Sequence, residues 1–156
     1  MIKQPTMALK RHDALQQYSR EHHHALLLCW KIKVGFSKGV SAERIKIYSD
    51  WFYKNQLIKH FEMEEKYMYP ILGIENKLIH KAVEEHRLLS NLFADTLQIE
   101  SSLKQIQTEL EKHIRFEERT LFNEIQNSAT QEQLEKIKQI HYDEKFVDNL
   151  QDVFWE

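Results

Sequence analysis

Two short stretches carry residue types suited to metal chemistry: His60-Phe-Glu-Met-Glu-Glu65 and His113-Ile-Arg-Phe-Glu-Glu118. Both read H-x-x-x-E-E. At about 100° per residue on a helix, the His and first Glu of each lie about 40° apart on one face. An imidazole and a carboxylate one turn apart can reach a single metal ion, or a pair of ions sharing that carboxylate. The second Glu of each copy, Glu65 or Glu118, points about 140° away from its own His. That direction predicts a solvated or supporting carboxylate rather than a ligand.

The elements that must position these residues read as helices. The first runs from Asp13, as N-cap, to about Phe36, ending before Lys38-Gly39. Its apolar arc holds Leu15, Tyr18, Ala25, Leu26, Cys29, Ile32 and Phe36, with His22 near the centre. His23 lies at the edge and His24 on the other side. Ser41 caps a second helix that Pro70 should stop. Its inner arc is Ile45, Phe52, Tyr53, Gln56, His60, Met63, Glu64, Tyr67 and Ile71. A third, near residues 76 to 99, carries Ile79, Val83, His86, Phe93 and Leu97 on one stripe. Ser101 caps a fourth helix to about Gln126, whose stripe is Leu103, Ile106, Leu110, His113, Ile114, Glu117, Leu121 and Ile125. Thr130-x-x-Gln133 is a capping-box signature for a fifth, shorter helix to about Phe146. The last ten residues should pack outside the bundle or across one end.

Four helices of about 25 residues, each roughly 37 Å long, joined by short connections predict an all-α, up-down-up-down four-helix bundle with a short extra C-terminal helix. The 156 residues fit a single domain, with the bundle core at about 12–126 and the C-terminal helix and tail at 130–156. Only 3 Gly and 2 Pro leave few turns, which favours long helices. A net charge of -2 gives no case for nucleic acid or an anionic membrane as partner. One cysteine, Cys29, excludes an intramolecular disulfide and a CxxC zinc site, and reads as a small buried apolar residue. No apolar run approaches the roughly 18 residues that span a bilayer, and the first residues lack a signal-peptide core. The expected compartment is the cytoplasm.

There is also an internal repeat. Glu21-His22 followed by His60-x-x-x-Glu64-Glu65 is mirrored by Glu85-His86 followed by His113-x-x-x-Glu117-Glu118. Met68-Tyr69 matches Leu121-Phe122 in the same way. The candidate metal ligands are therefore His22, His60, Glu64, His86, His113 and Glu117, converging from four helices. Two buried carboxylates without partners would cost several kcal/mol each, so they should be neutralised or bound to cations, and two divalent or trivalent ions would supply that charge. A lone His in an apolar stripe is ordinarily a hydrogen-bonded core residue; six residues at matching positions of a duplicated unit are not so explained. His12, His24, His80 and His141 read as surface residues, and Tyr18 as core packing near His22. A ferritin-like site needs Glu three residues before His, but Leu57, Val83 and Leu110 stand there.

Glu-His on the odd helices with H-x-x-x-E-E on the even ones resembles the hemerythrin-like HHE cation-binding family, over residues 12 to 126. The resemblance implies a non-haem centre of two iron ions, oxo- or hydroxo-bridged, held by the six residues named above; zinc or manganese can occupy such a set in a purified sample. Oxygen-carrying hemerythrins have a second His on the third helix, four residues after the first, where this chain has Ser90. The four-His, two-Glu set is closer to iron-centre repair and iron-sensing members. It implies iron handling or sensing of O2 or NO under stress; the alternative is a redox enzyme acting on NO or peroxide. No substrate-pocket residue beyond the site is legible, which favours a binding protein over an enzyme.

Overall fold

The computed structural model describes residues 10–140 and 145–156. The expected lead-in before residue 10 and His141 lie outside them. Among the described residues all regular structure is helical, and there is no strand.

The first helix spans Asp13–Ser37. Its N-cap is His12, not Asp13: His12 Nδ1 accepts from the Ala14 amide at 3.0 Å. Asp13 instead places its charge in the first turn, where the helix dipole favours an anion. The chain turns at Gly39, whose φ of 77° suits a residue without Cβ.

The second helical rod covers 42–71, capped as expected by Ser41, whose Oγ accepts from the Arg44 amide at 3.3 Å. Pro70 does not stop it outright. The rod tightens into a 3-10 turn, Tyr69–Ile71, and reverses at Gly73, where φ is 87°.

The third helix is Lys77–Ala94, with Asn76 Oδ1 accepting from the Leu78 amide at 2.8 Å. It ends short of the expected residue 99 because Asp95 organises a turn. The Asp95 carboxylate accepts from the Leu97 and Gln98 amides and from Ser102 Oγ, at 3.1, 3.0 and 2.6 Å. The fourth rod, 99–128, therefore starts before Ser101, which lies inside it and is no cap. Leu97, expected on the inward stripe, is 86% exposed in that turn.

The fifth helix is Gln131–Ile140. Its capping box is complete: the Gln133 amide donates to Thr130 Oγ1 at 3.1 Å and the Thr130 amide to Gln133 Oε1 at 2.8 Å. The expected continuation to Phe146 crosses residues 141–144, outside the described ones. Phe146 itself stands in a non-helical tail.

Packing of the helices leaves two apolar clusters. One gathers Leu28, Ile32, Phe52, Leu89, Ile106 and Leu110 and receives Phe154 from the tail. The other holds Leu15, Met68, Ile79, Phe122 and Ile125, with Leu134 and Ile137 of the fifth helix. On each long helix the candidate His or Glu falls between residues of the first cluster and residues of the second. Apolar packing on both sides, at about 1.5–3 kcal/mol per large side chain, therefore clamps the polar layer in place.

Three π-helical turns interrupt the long rods, at Tyr53–Leu57, Glu64–Met68 and Glu117–Leu121. The last two begin at equivalent Glu residues of the repeat. An i→i+5 turn accommodates one extra residue and re-aims everything after it. Hence Met68 and Tyr69 are buried where Tyr67 and Ile71 were expected to face inward, and Leu57 and Phe61 join the core.

The tail lies against the first two helices rather than across the bundle end. Lys31 Nζ donates to Asp148 Oδ2 at 2.6 Å and to the Tyr48 hydroxyl at 2.8 Å, and that hydroxyl donates to Asp148 Oδ1 at 2.6 Å. Phe154 presses its ring on Gly35, while Leu150 is exposed.

Candidate metal centre

Six side chains from four helices meet in the polar layer: His22, His60, Glu64, His86, His113 and Glu117. All are between 0% and 4% exposed. They form two overlapping groups, His22–His60–Glu64–Glu117 and Glu64–His86–His113–Glu117. In each, one ligand atom per residue lies within 4.8 Å of the others, so either group could hold a metal ion. Glu64 and Glu117 belong to both.

Every imidazole turns Nε2 inward. His60 Nε2 is 3.2 Å from Glu64 Oε2, and His113 Nε2 is 3.0 Å from Glu117 Oε1. Across the interface, His22 Nε2 lies 3.1 Å from Glu117 Oε1 and His86 Nε2 lies 3.2 Å from Glu64 Oε1.

Every Nδ1 is held by a carboxylate outside the six. His22 pairs with Glu118 at 3.0 Å, His86 with Glu65 at 2.6 Å, His60 with Glu21 at 2.8 Å and His113 with Glu85 at 2.8 Å. A carboxylate only accepts, so each Nδ1 carries the proton and Nε2 is left as the inward donor atom. The pairing obeys the sequence repeat. Glu21 and Glu85 each reach the His of the next helix, while Glu65 reaches His86 on the third helix and Glu118 reaches His22 on the first.

Without metal this layer is a mutually neutralising cage. Burial would lower the His60 pKa, but the Glu64 charge and the Glu21 hydrogen bond outweigh it and lift the imidazole to about 9. His113 likewise reaches about 9, burial being outweighed by Glu117 and Glu85. His22 is raised well above its ordinary value and His86 is raised, each against burial, by hydrogen bonds to Glu117 and Glu118 and to Glu64 and Glu65 respectively. Glu64 is held well below the ordinary carboxylate range: burial opposes this, and the surrounding imidazoles prevail.

The cage is nevertheless incomplete. His60 Nε2, His113 Nε2 and Glu64 Oε2 are buried without a hydrogen-bond partner among the described residues, their close neighbours being misaligned. Orphaned donor atoms converging from several helices are what a cation would satisfy. Six carboxylates surround the four imidazoles, so with neutral rings two trivalent ions would balance the charge. The residues fit the expected group.

Two features of the layer were not read from sequence. Tyr69 hangs over it, its hydroxyl donating to Glu117 Oε2 at 2.7 Å. Phe61 stacks on the His86 ring, with centroids 3.9 Å apart. Beside the centre is a cavity of about 10 Å³, lined by His22, His60 and His113 and by apolar Leu57, Phe61 and Leu110. That is room for about one water-sized molecule.

The remaining candidates fall elsewhere. His23 is exposed and outside the centre. His24, expected on the surface, is half-buried and stacks on Phe146 at 4.1 Å. His80 is exposed and meets the Ile74 carbonyl oxygen at 2.5 Å. Cys29 is buried, which pushes its thiol up to about 12. No helix among the described residues is long and apolar enough to cross a membrane. Compared with protein-family models, with curated proteins and with solved structures, the chain matches none of them.

Proposed function

We propose that this chain is a hemerythrin-like protein, an up-down-up-down four-helix bundle that binds two iron ions in a buried non-haem centre. His22 and His60 hold one ion, and His86 and His113 hold the other. Glu64 and Glu117 are shared between them. The observation that carries this reading is the overlap of the two four-residue groups at those two carboxylates. A mere buried ion-pair network has no need of two fused, matching sites with donor atoms left unpaired.

Bound iron would supply redox chemistry and vacant positions for a small ligand such as O2 or NO. The chain's own part is to fix Nε2 of four imidazoles by carboxylates at Nδ1, and to wall the layer with apolar clusters that exclude bulk water. The adjoining cavity admits only something of about the size of a diatomic molecule or water. This favours iron handling or gas sensing over turnover of a larger substrate.

Metal analysis with optical spectra, in air and under anaerobic NO, tests the proposal. Expected are two irons per chain after anaerobic Fe(II) loading and a spectrum that changes with each gas. A chain that takes up no iron under these conditions would overturn it. Steady consumption of NO or peroxide would move the assignment from binding protein to enzyme.

A further inference from the structure

The two halves of the repeat that builds the centre differ at a position that touches the metal layer. Tyr69 and Phe122 are equivalent, each lying five residues after the shared Glu of its helix and each brought inward by the π turn that starts at that Glu. Their rings do the same job: Tyr69 stacks on His86 at 5.6 Å and 25°, and Phe122 on His22 at 5.1 Å and 19°. Only Tyr69 has a hydroxyl.

We propose that Tyr69 is a further ligand, through its phenol oxygen, for the ion held by His86 and His113, and that the two metal subsites are therefore chemically different. The inference rests on the two-metal reading above. Its ground is geometric. The oxygen lies 2.7 Å from Glu117 Oε2, 3.2 Å from His86 Nε2 and 3.5 Å from Glu64 Oε1. All three partners belong to a single four-residue group. Ligand bonds of about 2.0–2.2 Å at right angles separate adjacent ligand atoms by about 3 Å. The phenol oxygen thus already stands at ligand spacing from the donors of that subsite, and it is 2% exposed, so water does not compete for the position. At the other subsite Phe122 offers no donor. The small cavity beside the layer is lined by His22 and His60 of that subsite and by His113 of the other.

On coordination the phenol O–H bond breaks, an O–Fe bond forms and the proton passes to water, as with other acidic ligands. No electron is transferred in that step.

The test uses the full chain loaded anaerobically with Fe(II) and then oxidised in air. A tyrosinate bound to Fe(III) gives a visible charge-transfer band, and resonance Raman excitation within it enhances the tyrosinate ring modes. Both are expected in the wild type and both should vanish in Tyr69→Phe, with two irons per chain retained. Tyr18→Phe, which alters another buried phenol near the centre with its ring 5.8 Å from His60, should keep them. Wild-type protein with two irons and no tyrosinate modes would overturn this inference alone, leaving the two-metal reading intact; that arm does not depend on a variant folding. Modes that survive in Tyr69→Phe also overturn it. Absence of iron binding overturns both.

Discussion

Glu21 adjoins His22 in the chain, yet its carboxylate lies 2.8 Å from Nδ1 of His60 on the neighbouring helix. Glu85, adjoining His86, reaches His113 at the same distance. Each crosswise bond fixes a ring so that Nε2 faces the centre, and its charge makes that nitrogen a better donor. Outer partners of this kind are worth about 10–100-fold in metal affinity. Glu21→Ala and Glu85→Ala are each expected to weaken iron binding by that order without removing a ligand. Competition against a chelator of known affinity measures it. An unchanged affinity would mean that packing alone holds the rings.

Ligand deletion should distinguish shared from unshared positions. Glu117 belongs to both four-residue groups and His60 to one. Glu117→Ala is expected to lower occupancy of both ions, and His60→Ala chiefly that of one. Exposed His23 provides the control, and His23→Ala should leave metal content as it was. Equal metal content in all three variants contradicts the ligand assignment.

The six central residues were legible because each occupies the middle of a helical stripe and the pattern occurs twice. Every residue named on the fourth-helix stripe, Leu103 through Ile125, is buried, although Phe122, which the π turn brings inward, was missed. The second helix was read less well, since periodicity assumes an unbroken 3.6-residue repeat and this rod contains two π turns. After Glu64 the phase slips, so Tyr69 was not seen to face the centre. The outer carboxylates were half legible. Direction alone showed that Glu65 and Glu118 could not serve their own helix's His, but not which ring they would meet. Helix ends failed where a side chain did unexpected work: His12 as a cap, Asp95 as the organiser of a turn.

The metal-free chain should lose stability as pH rises past neutrality. His60 and His113 titrate at about 9 when folded, against an ordinary 6.5. Between those values the folded chain holds protons that the unfolded chain has released. The stabilisation is therefore complete below the unfolded value and is lost as pH climbs through the folded one. Glu64, depressed below 4.5, acts with the opposite sign: its contribution holds above that pH and fades as pH falls. Maximum stability of the metal-free protein is expected between the two windows. Iron needs neutral imidazoles, so its affinity should increase over the range in which the apo-protein weakens. Urea unfolding with and without metal reads both. A metal-free midpoint that rises from pH 6.5 to 9 would refute the caged-imidazolium account.

Gly35 offers a test of the tail that is independent of metal. In a helix interior, Gly→Ala normally stabilises by up to about 1 kcal/mol. Here a Cβ would stand 2.8 Å from the Phe154 ring and 2.9 Å from Ile45 Cδ1. Phe154 is 3% exposed and Ile45 0%, so neither can swing into solvent. Overpacking of this kind costs about 1–3 kcal/mol, which exceeds the helical gain. Gly35→Ala should therefore lower the urea midpoint, corresponding to a net loss of about 1 kcal/mol. In a Phe154→Ala background the closest obstacle is gone and Ile45 Cδ1 can shift into the space the ring leaves, so the same substitution should become neutral or stabilising. This reversal in a double-mutant cycle would locate the clash between the tail and the first helix. If Gly35→Ala has the same effect in both backgrounds, the tail does not seat on Gly35 in solution.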